Sequence, residues 1–275
     1  MNSLAADLAG ALDTGQLFLV YQPKVSLATG QWSGVEALLR WQHPERGMVP
    51  PNHFIPIAES SGLMRPLTDR VIDMALDRWC EWNRAGLGIK IAINLSAKDI
   101  EPDFPDRFER TCVAKGVSPE SIVFELTETA THDVTDLLDI ATRLRVKGTR
   151  LSIDDFGTGY SSVVQLHRLP FSELKIDRLF VSELESSTEA RTIVRAIVDL
   201  AHALDLTVVA EGTESESEVG FLAGLGCDEA QGYFFSRPLD PIALAALWRN
   251  RAPVLPTVIG NDQPLGPEAI IRLPA

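Results

Sequence analysis

Residues 17–41 read LFLVYQPKVSLATGQWSGVEALLRW, and this stretch decides how the sheet begins. Two segments rich in Val, Leu and aromatic residues, as buried strands are, flank the short connection Leu27–Gln31. A parallel pair needs a crossover of about a dozen residues or more, so this connection allows only an antiparallel hairpin. The sequence therefore predicts that the sheet starts with one reversed strand.

The rest of the chain alternates strand-like and helix-like patterns, which is typical of an α/β protein with a mainly parallel sheet. The clearest helix carries apolar residues at three- and four-residue spacing from Val134 to Leu144. Strands separated by helices in this way favour a modified (β/α)8 TIM-type barrel with the first strand antiparallel over an open sheet. The predicted strands are Leu17–Val25, Trp32–Trp41, Ile89–Leu95, Ile122–Leu126, Arg150–Asp155, Glu173–Ile176, Thr207–Ala210 and Glu229–Phe235.

The chain is expected to form a single domain over residues 1–250, with a short N-terminal helix at 1–14 and a C-terminal tail at 251–275. At 275 residues and 45% hydrophobic content it can bury a large core. Its three cysteines lack the spacing of a disulfide framework or a zinc knuckle, and no apolar run approaches the length of a membrane span. We therefore expect a soluble, cytoplasmic protein with no membrane contact through this segment.

The strongly acidic composition limits the partners of the chain. A formal net charge of −13 and a pI near 4.8 argue against binding to DNA or long RNA, which requires a basic surface. A small phosphorylated ligand stays compatible if bound cations or a few placed Arg and Lys residues offset the acidic background. An anionic ligand therefore implies a local concentration of positive charge.

Polar side chains interrupt or end every predicted strand from the second to the eighth, where a buried strand should be apolar. In a barrel the carboxyl ends of the strands converge on one face, so these groups should meet in one pocket. A single such residue is more often a helix cap or a surface ion pair. A polar group at the same end of each strand favours a functional site instead. These residues are Glu36, Asn94, Glu125, Asp154, Asp155, Lys175, Glu211 and Gln231.

The carboxylates in this set predict a metal site. They cannot all stay ionised in a dry pocket, because like charges and desolvation both raise their pKa values. Divalent cations resolve this conflict. Oxygen ligands suit hard ions such as Mg²⁺ or Mn²⁺, whereas zinc prefers His or Cys, and none of the five histidines lies at a strand end.

The same residues lie in motifs that resemble those of the EAL domain family, in the family's order along the chain. Glu36-Ala37-Leu38 resembles the motif that names the family, and the resemblance covers about residues 17–248. It implies a modified (β/α)8 barrel with an antiparallel first strand and hydrolysis of cyclic di-GMP to linear pGpG. The other matching motifs are Tyr21-Gln22-Pro23, Asn94-Leu95-Ser96, Glu125-Leu126-Thr127-Glu128, Asp154 to Ser162, Leu174-Lys175-Ile176-Asp177, Ala210-Glu211-Gly212 and Gln231-Gly232-Tyr233.

The resemblance implies two Mg²⁺ or Mn²⁺ ions in each active site, with Ca²⁺ expected to be inhibitory. Asp154 matches the residue that bridges the two ions, and Asp155 matches a ligand of the second ion. The implied metal ligands are Glu36, Asn94, Glu125, Asp154, Asp155 and Glu211.

The resemblance also implies catalytic roles for Glu211, Lys175 and Gln231. Glu211 suits a general base or a group that orients the attacking water, and Lys175 can stabilise a hydroxide or the negative charge that develops at phosphorus. Arg40 offers a planar fork suited to the non-scissile phosphate. Gln22 either lies near the guanine or only braces the first strand pair. The substrate-binding set is Gln22, Leu38, Arg40, Lys175, Asp177 and Gln231.

A further segment resembles the family's regulatory loop, in which a second glutamate anchors a glycine-containing segment and couples it to dimer contacts. A homodimer is therefore expected. Alternatively, the two glycines of the segment only allow a tight turn. The loop residues are Glu128, Phe156, Gly157, Thr158 and Gly159.

Two other functions stay open. Many degenerate EAL domains are non-catalytic cyclic di-GMP receptors, but those typically lack a metal or base residue, and this chain lacks none that we identify. A purely structural or protein-interaction barrel is a more distant alternative. The chain departs mildly from the family at Thr213 and Ser215, where Val and Thr are common. Sensor or cyclase domains outside this chain are candidate partners besides cyclic di-GMP.

Overall fold

The structure of the protein, a computed structural model, describes residues 3–96, 100–127, 134–157 and 163–250. The strands are β1 Leu17–Ser26, β2 Trp32–His43, β3 Gly47–Val49, β4 Ile91–Leu95, β5 Ile122–Thr127, β6 Arg150–Phe156, β7 Glu173–Ile176, β8 Thr207–Glu211 and β9 Glu229–Gln231. The helices are α1 Ser3–Ala11, α2 Pro51–Ser61, α3 Met64–Arg84, α4 Phe104–Lys115, α5 Val134–Val146, α6 Val163–Arg168, α7 Arg178–Val181, α8 Thr188–Ala203, α9 Glu216–Gly224 and α10 Pro241–Asn250. None of these helices has both the length and the apolar character needed to span a bilayer.

Eight of the strands close into a barrel in the order β1, β2, β4, β5, β6, β7, β8, β9, and β9 pairs back to β1. β1 runs antiparallel to both of its neighbours, whereas the other neighbouring barrel strands are parallel. The hairpin register runs from Leu17 opposite Trp41 to Val25 opposite Trp32. The predicted modified (β/α)8 barrel with a reversed first strand is thus confirmed.

One short strand was not predicted. β2 continues past its predicted end to His43 and turns back as β3, which pairs with β2 at the edge of the sheet. The imidazole Nδ1 of His43 accepts hydrogen bonds from the backbone N–H groups of Glu45 at 3.0 Å and Arg46 at 3.2 Å. Because a side chain inside the turn closes it, hydrophobic periodicity gave no sign of this hairpin.

The last barrel strand is shorter than predicted. The sequence placed it at Glu229–Phe235, but β9 ends at Gln231. At Gly232 the backbone lies so close to Thr213 that an added Cβ would be 2.0 Å from the Thr213 carbonyl oxygen. Phe234 N donates a hydrogen bond to that same oxygen at 3.0 Å, so the chain turns across the barrel end instead of extending.

Within the described part of the chain, two apolar clusters hold the barrel together. The larger lies between the outward faces of the strands and the surrounding helices, and Ile91, Phe124 and Val208 are among its fully buried members. The smaller packs α1 and α2 against the end of β2, around Trp41 and Phe54. Because successive strand residues point to opposite faces, an apolar outer face leaves the inner face free for polar residues.

The close approach of Gly232 to Thr213 leads to a prediction about stability. Gly232→Ala should lower the free energy of unfolding by about 2 kcal/mol or more, because a methyl group there overlaps fixed backbone atoms. Gly220→Ala is the control, since Gly220 is exposed inside α9 and an added Cβ meets no atom within 4 Å. It should stabilise the protein by about 0.5 to 1 kcal/mol. Urea denaturation measures both values, and similar effects of the two changes would contradict the packing argument.

Candidate active site at the carboxyl ends of the strands

At the barrel mouth, the inner face carries one polar residue from each of the eight barrel strands. Alternation along the strands puts these residues on one face. We term this set the polar ring, and its members contact one another around the barrel mouth. They are Gln22, Glu36, Asn94, Glu125, Asp154, Lys175, Glu211 and Gln231.

Lys175 lies at the centre of the polar ring. Its side chain is 1% exposed, and its Nζ lies 2.5 Å from Glu211 Oε1, 3.0 Å from Glu125 Oε2, 3.2 Å from Asp154 Oδ1 and 3.9 Å from Glu36 Oε2. Burial alone would lower the pKa of this ammonium, but the surrounding carboxylates raise it well above its usual value. Lys175 is therefore a fixed positive charge in the pocket.

The carboxylates outnumber this lysine, and their pKa values reflect the crowding. Burial, reinforced by neighbouring carboxylates, raises the pKa of Glu36 and of Asp154 in spite of the nearby lysine. The same causes raise the pKa of Glu211 to about 8. A ring that resists full ionisation in this way is stabilised by an additional cation.

Three carboxylates form the part of the site best suited to a metal ion. Asp154, Asp155 and Glu211 each offer an oxygen atom, and these atoms lie within 4.8 Å of one another. The Asp155 N–H donates to Asp154 Oδ1 at 2.9 Å, and Asp155 has a left-handed backbone with φ of 55°. Such a conformation in a non-glycine residue costs about 1 kcal/mol and is typical of functional sites. This cluster can hold a metal ion.

Amide side chains complete the other side of the polar ring. Asn94 Nδ2 and Gln231 Nε2 each donate to Glu36, in both cases at 2.7 Å, and so fix both of its carboxylate oxygens. Gln231 Nε2 also donates to Gln22 Oε1 at 3.2 Å, and Gln22 Nε2 donates to the Ser236 carbonyl at 3.1 Å. Both ends of the Gln22 amide are therefore engaged within the protein, as expected of a brace across the strands.

A groove of about 540 Å³ opens beside the ring, between β2 and the helices α2 and α3. Leu38, Arg40 and Asn94 line it next to the carboxylates, and its far wall is apolar, with Ile55 and Met64. Arg40 is partly buried there, and its Nη1 donates to the Leu39 carbonyl at 2.9 Å. The groove thus offers an apolar surface and one guanidinium within reach of the polar ring.

Asp177 has a structural role that the motif did not indicate. It is the N-cap of α7, where its Oδ1 accepts a hydrogen bond from Leu179 N at 2.8 Å. Its side chain also hydrogen-bonds to that of Asp155. Burial, together with Asp154 and Asp177, raises the pKa of Asp155 to about 6.

The predicted regulatory loop is described only in part. Phe156 ends β6 in a buried position, and Gly157 has φ of 97°. A Cβ at Gly157 would lie 2.9 Å from the ring of Phe180 on α7, so the loop begins in close contact with that helix. The other predicted loop residues, Glu128, Thr158 and Gly159, lie outside the described residues.

Sequence reasoning missed a second layer of buried charges below the polar ring. Lys24, Glu173 and Glu229 lie on β1, β7 and β9, one inward-facing position deeper than Gln22, Lys175 and Gln231. We term them the lower layer. Their spacing of two residues from ring members is the signal that could have revealed them, because it puts both residues on the same face of the strand.

The fold and the site together define a class, a (β/α)8-type barrel with a candidate metal centre at the carboxyl ends of its strands. The family model described as the EAL domain matches residues 5–238, and the chain belongs to the EAL domain family.

Named relatives resemble most of the chain. It is 43% identical over 246 residues to the bifunctional diguanylate cyclase/cyclic di-GMP phosphodiesterase MucR of Pseudomonas aeruginosa. The aligned region covers 88% of this chain and 36% of MucR. It is 37% identical over 254 residues to the cyclic di-GMP phosphodiesterase PdeR of Escherichia coli K12, covering 90% and 38% of the two chains. The chain thus spans a little over a third of these curated relatives.

A solved structure with a similar fold also matches most of the chain. The PaMucR phosphodiesterase in complex with c-di-GMP matches with a TM-score of 0.83 and 42% sequence identity. The match covers 88% of this chain and 99% of that one.

The raised pKa of Glu211 leads to a prediction for the metal-free protein. The folded state holds a proton on Glu211 up to about pH 8, whereas the unfolded state releases it near the ordinary value of 4.5. The protonated Glu211 therefore stabilises the folded state fully below about pH 4.5, and this stabilisation is lost as pH rises through about 8. In EDTA, stability should therefore fall by on the order of 2 kcal/mol from about pH 6 to about pH 9.

Chemical denaturation across this pH range checks the prediction, and Glu211→Gln is the informative comparison. The glutamine has no proton to lose, so the variant should lose clearly less stability over the same range. Parallel profiles for the two proteins would show that Glu211 titrates normally in the folded state.

Proposed function

We propose that this chain is a metal-dependent phosphodiesterase that hydrolyses cyclic di-GMP to linear pGpG. The observation that carries the proposal is the polar ring, in which buried Lys175 contacts Glu211 and Asp154 beside the cluster that they form with Asp155. Relatives named cyclic di-GMP phosphodiesterases and a similar structure in complex with c-di-GMP support this choice of substrate.

The donor set fits Mg²⁺ or Mn²⁺, and we propose two ions in the site. All candidate ligands offer oxygen, and burial together with neighbouring carboxylates raises the pKa of several of them, as expected for a site built for added positive charge. When bound, the ions supply Lewis acidity toward the phosphodiester oxygens and lower the pKa of a coordinated water. The residues that would hold them are Glu36, Asn94, Glu125, Asp154, Asp155 and Glu211.

A buried acceptor in the same pocket supports this proposal. Gln231 is 4% exposed, and its Oε1 has no hydrogen-bond partner among the described residues. An orphaned buried acceptor is costly unless a bound group donates to it. A water or a substrate group at the barrel mouth would satisfy it, which fits the role proposed for Gln231 in catalysis and substrate binding.

Glu211 and Lys175 have the properties that water activation requires. Glu211 ends β8 in the cluster with Asp154 and Asp155, where a general base can reach a water held at the metal site. Glu211 would accept the proton of the attacking water. Lys175, 2.5 Å from the Glu211 carboxylate, would stabilise the negative charge that develops at phosphorus.

The groove beside the ring suits a ligand with flat bases and two phosphates. Its apolar wall offers contact area for a guanine, and Arg40 can bind the phosphate that is not cleaved. Leu38 and Asp177 would contribute further contacts on either side of the reacting bond. Gln22 would act mainly through Gln231, because both ends of its amide are already engaged.

A cyclic di-GMP receptor without activity is the main competing proposal. It would require that the site bind the nucleotide but lack a working base or metal ligand, and the chain keeps all of them. We also propose, on the family resemblance, a cytoplasmic homodimer regulated through the loop at 156–159 and through sensor or cyclase domains elsewhere in the full protein. The length of the MucR relative is consistent with such domains.

The enzyme and receptor proposals predict different outcomes with purified protein. With Mg²⁺ or Mn²⁺ the protein should convert cyclic di-GMP to pGpG, as followed by chromatography, and Glu211→Gln should lower kcat by about 100-fold or more. Glu189→Gln, on the exposed first turn of α8, is the control and should leave kcat unchanged. Binding of cyclic di-GMP without any pGpG under either metal would favour the receptor.

Arg40 is predicted to bind substrate equally in the ground and transition states. Arg40→Lys keeps the charge but loses the planar fork, so KM for cyclic di-GMP should rise about 10-fold while kcat stays nearly constant. Arg150→Lys is the control, because Arg150 is exposed at the first residue of β6, the opposite end of the barrel. A loss confined to kcat would instead place Arg40 at the reacting phosphate.

A further inference from the structure

The lower layer holds a lysine that the proposed mechanism does not use. Lys24 is 3% exposed, and its Nζ donates to Glu125 Oε1 and to Glu173 Oε1, each at 2.9 Å. Glu173 is also buried, so this ion pair is well shielded from solvent. A buried lysine needs such partners, but one carboxylate would be enough to balance its charge.

The second partner of Lys24 is a member of the polar ring. The side chain of Glu125 is 0% exposed, with Lys24 on its Oε1 at 2.9 Å and Lys175 on its Oε2 at 3.0 Å. Burial acts to raise the pKa of Glu125, but the two lysines outweigh it and lower the pKa to about 2. Glu125 is thus an ionised carboxylate held from both ends.

The two oxygens of Glu125 face different surroundings. Oε1 points to the lower layer, where Lys24 and Glu173 occupy the barrel interior, and Oε2 lies with Lys175 among the carboxylates of the polar ring. Metal-ligating carboxylates are commonly oriented by such outer partners, and loss of the partner weakens metal binding.

We propose that Lys24 is a positioning residue for the metal site. It fixes Glu125 through Oε1 and so keeps Oε2 directed into the polar ring, where it can serve as a ligand. Glu173 balances the charge of the Lys24 ammonium. This inference rests on the proposed function only in taking Glu125 as a ligand of a divalent ion.

Mn²⁺ binding measured by calorimetry on purified protein tests the proposal directly. Lys24→Met removes the ammonium but keeps most of the side-chain length, and it should raise the Kd for Mn²⁺ by about 10- to 100-fold. The Mn²⁺ concentration needed for half-maximal hydrolysis should rise in parallel. KM for cyclic di-GMP at saturating Mn²⁺ should change by less than about 3-fold, a separation that general destabilisation would not produce.

Glu173→Gln is the matched control for the charge pair. It keeps the contact between Lys24 and Glu125, so its Kd for Mn²⁺ should stay within about 3-fold of the wild-type value. The double variant Lys24→Met/Glu173→Gln removes the buried carboxylate that Lys24→Met leaves unpaired. It should recover thermal stability but keep weak Mn²⁺ binding, and it replaces the single variant if the latter does not fold.

Two results would overturn the inference. If Lys24→Met or the double variant binds Mn²⁺ as tightly as the wild type, Lys24 only neutralises Glu173. If the wild type binds no Mn²⁺ at all, there is no metal for Lys24 to position. A wild type that binds Mn²⁺ but does not cleave cyclic di-GMP would refute the proposed function alone, and weakened Mn²⁺ binding by Lys24→Met would still support the positioning role.

Discussion

The barrel interior is organised around one buried ammonium group that several carboxylates share. Lys175 lies within 4.0 Å of Glu36, Glu125, Asp154 and Glu211. Charges removed from water are stable only when they are paired and hydrogen-bonded, and one cation cannot balance so many anions. The other polar groups of the interior reduce this imbalance. Amides donate to the ring from one side, a second lysine binds it from below, and the mouth stays open to added cations.

The reversed first strand supplies two of the polar groups of the interior, Gln22 and Lys24. Because β1 is antiparallel to both neighbours, its alternation sets Gln22 level with Glu36 and places Lys24 one inward position deeper. The hairpin that reverses it also removes the need for a crossover helix at this point. The apolar packing of the helices and the polar contacts of the site therefore use opposite faces of the same strands. A strand can contribute to both only where its alternation is regular, as it is along β4 and β5. The register of β6 shifts between Ile153 and Phe156, and there the adjacent residues Asp154 and Asp155 both enter the site.

Most of the fold and of the polar ring could be predicted from the sequence, because a charge at the end of an apolar strand is conspicuous. Lys24 and Glu173 were missed because the site was sought at the carboxyl ends of the parallel strands. Lys24 lies on the reversed first strand, and Glu173 is the first residue of its strand. The end of β9 was missed for another reason. It depends on Gly232 contacting Thr213, a contact between separate segments that no local pattern records. The capping role of Asp177 likewise depends on α7, a helix of four residues.

The acidic character of the chain connects metal binding to the binding of an anionic substrate. The net charge of −13 works against the binding of a phosphodiester, and in the metal-free mouth four carboxyl groups share the positive charge of Lys175. Divalent cations in the proposed site add positive charge there, so each ligand should strengthen the binding of the other by the same factor. This coupling follows from the ring and not from the chemistry of hydrolysis. A receptor and an enzyme built on this site would therefore both bind the nucleotide in a metal-dependent way, and only turnover separates them.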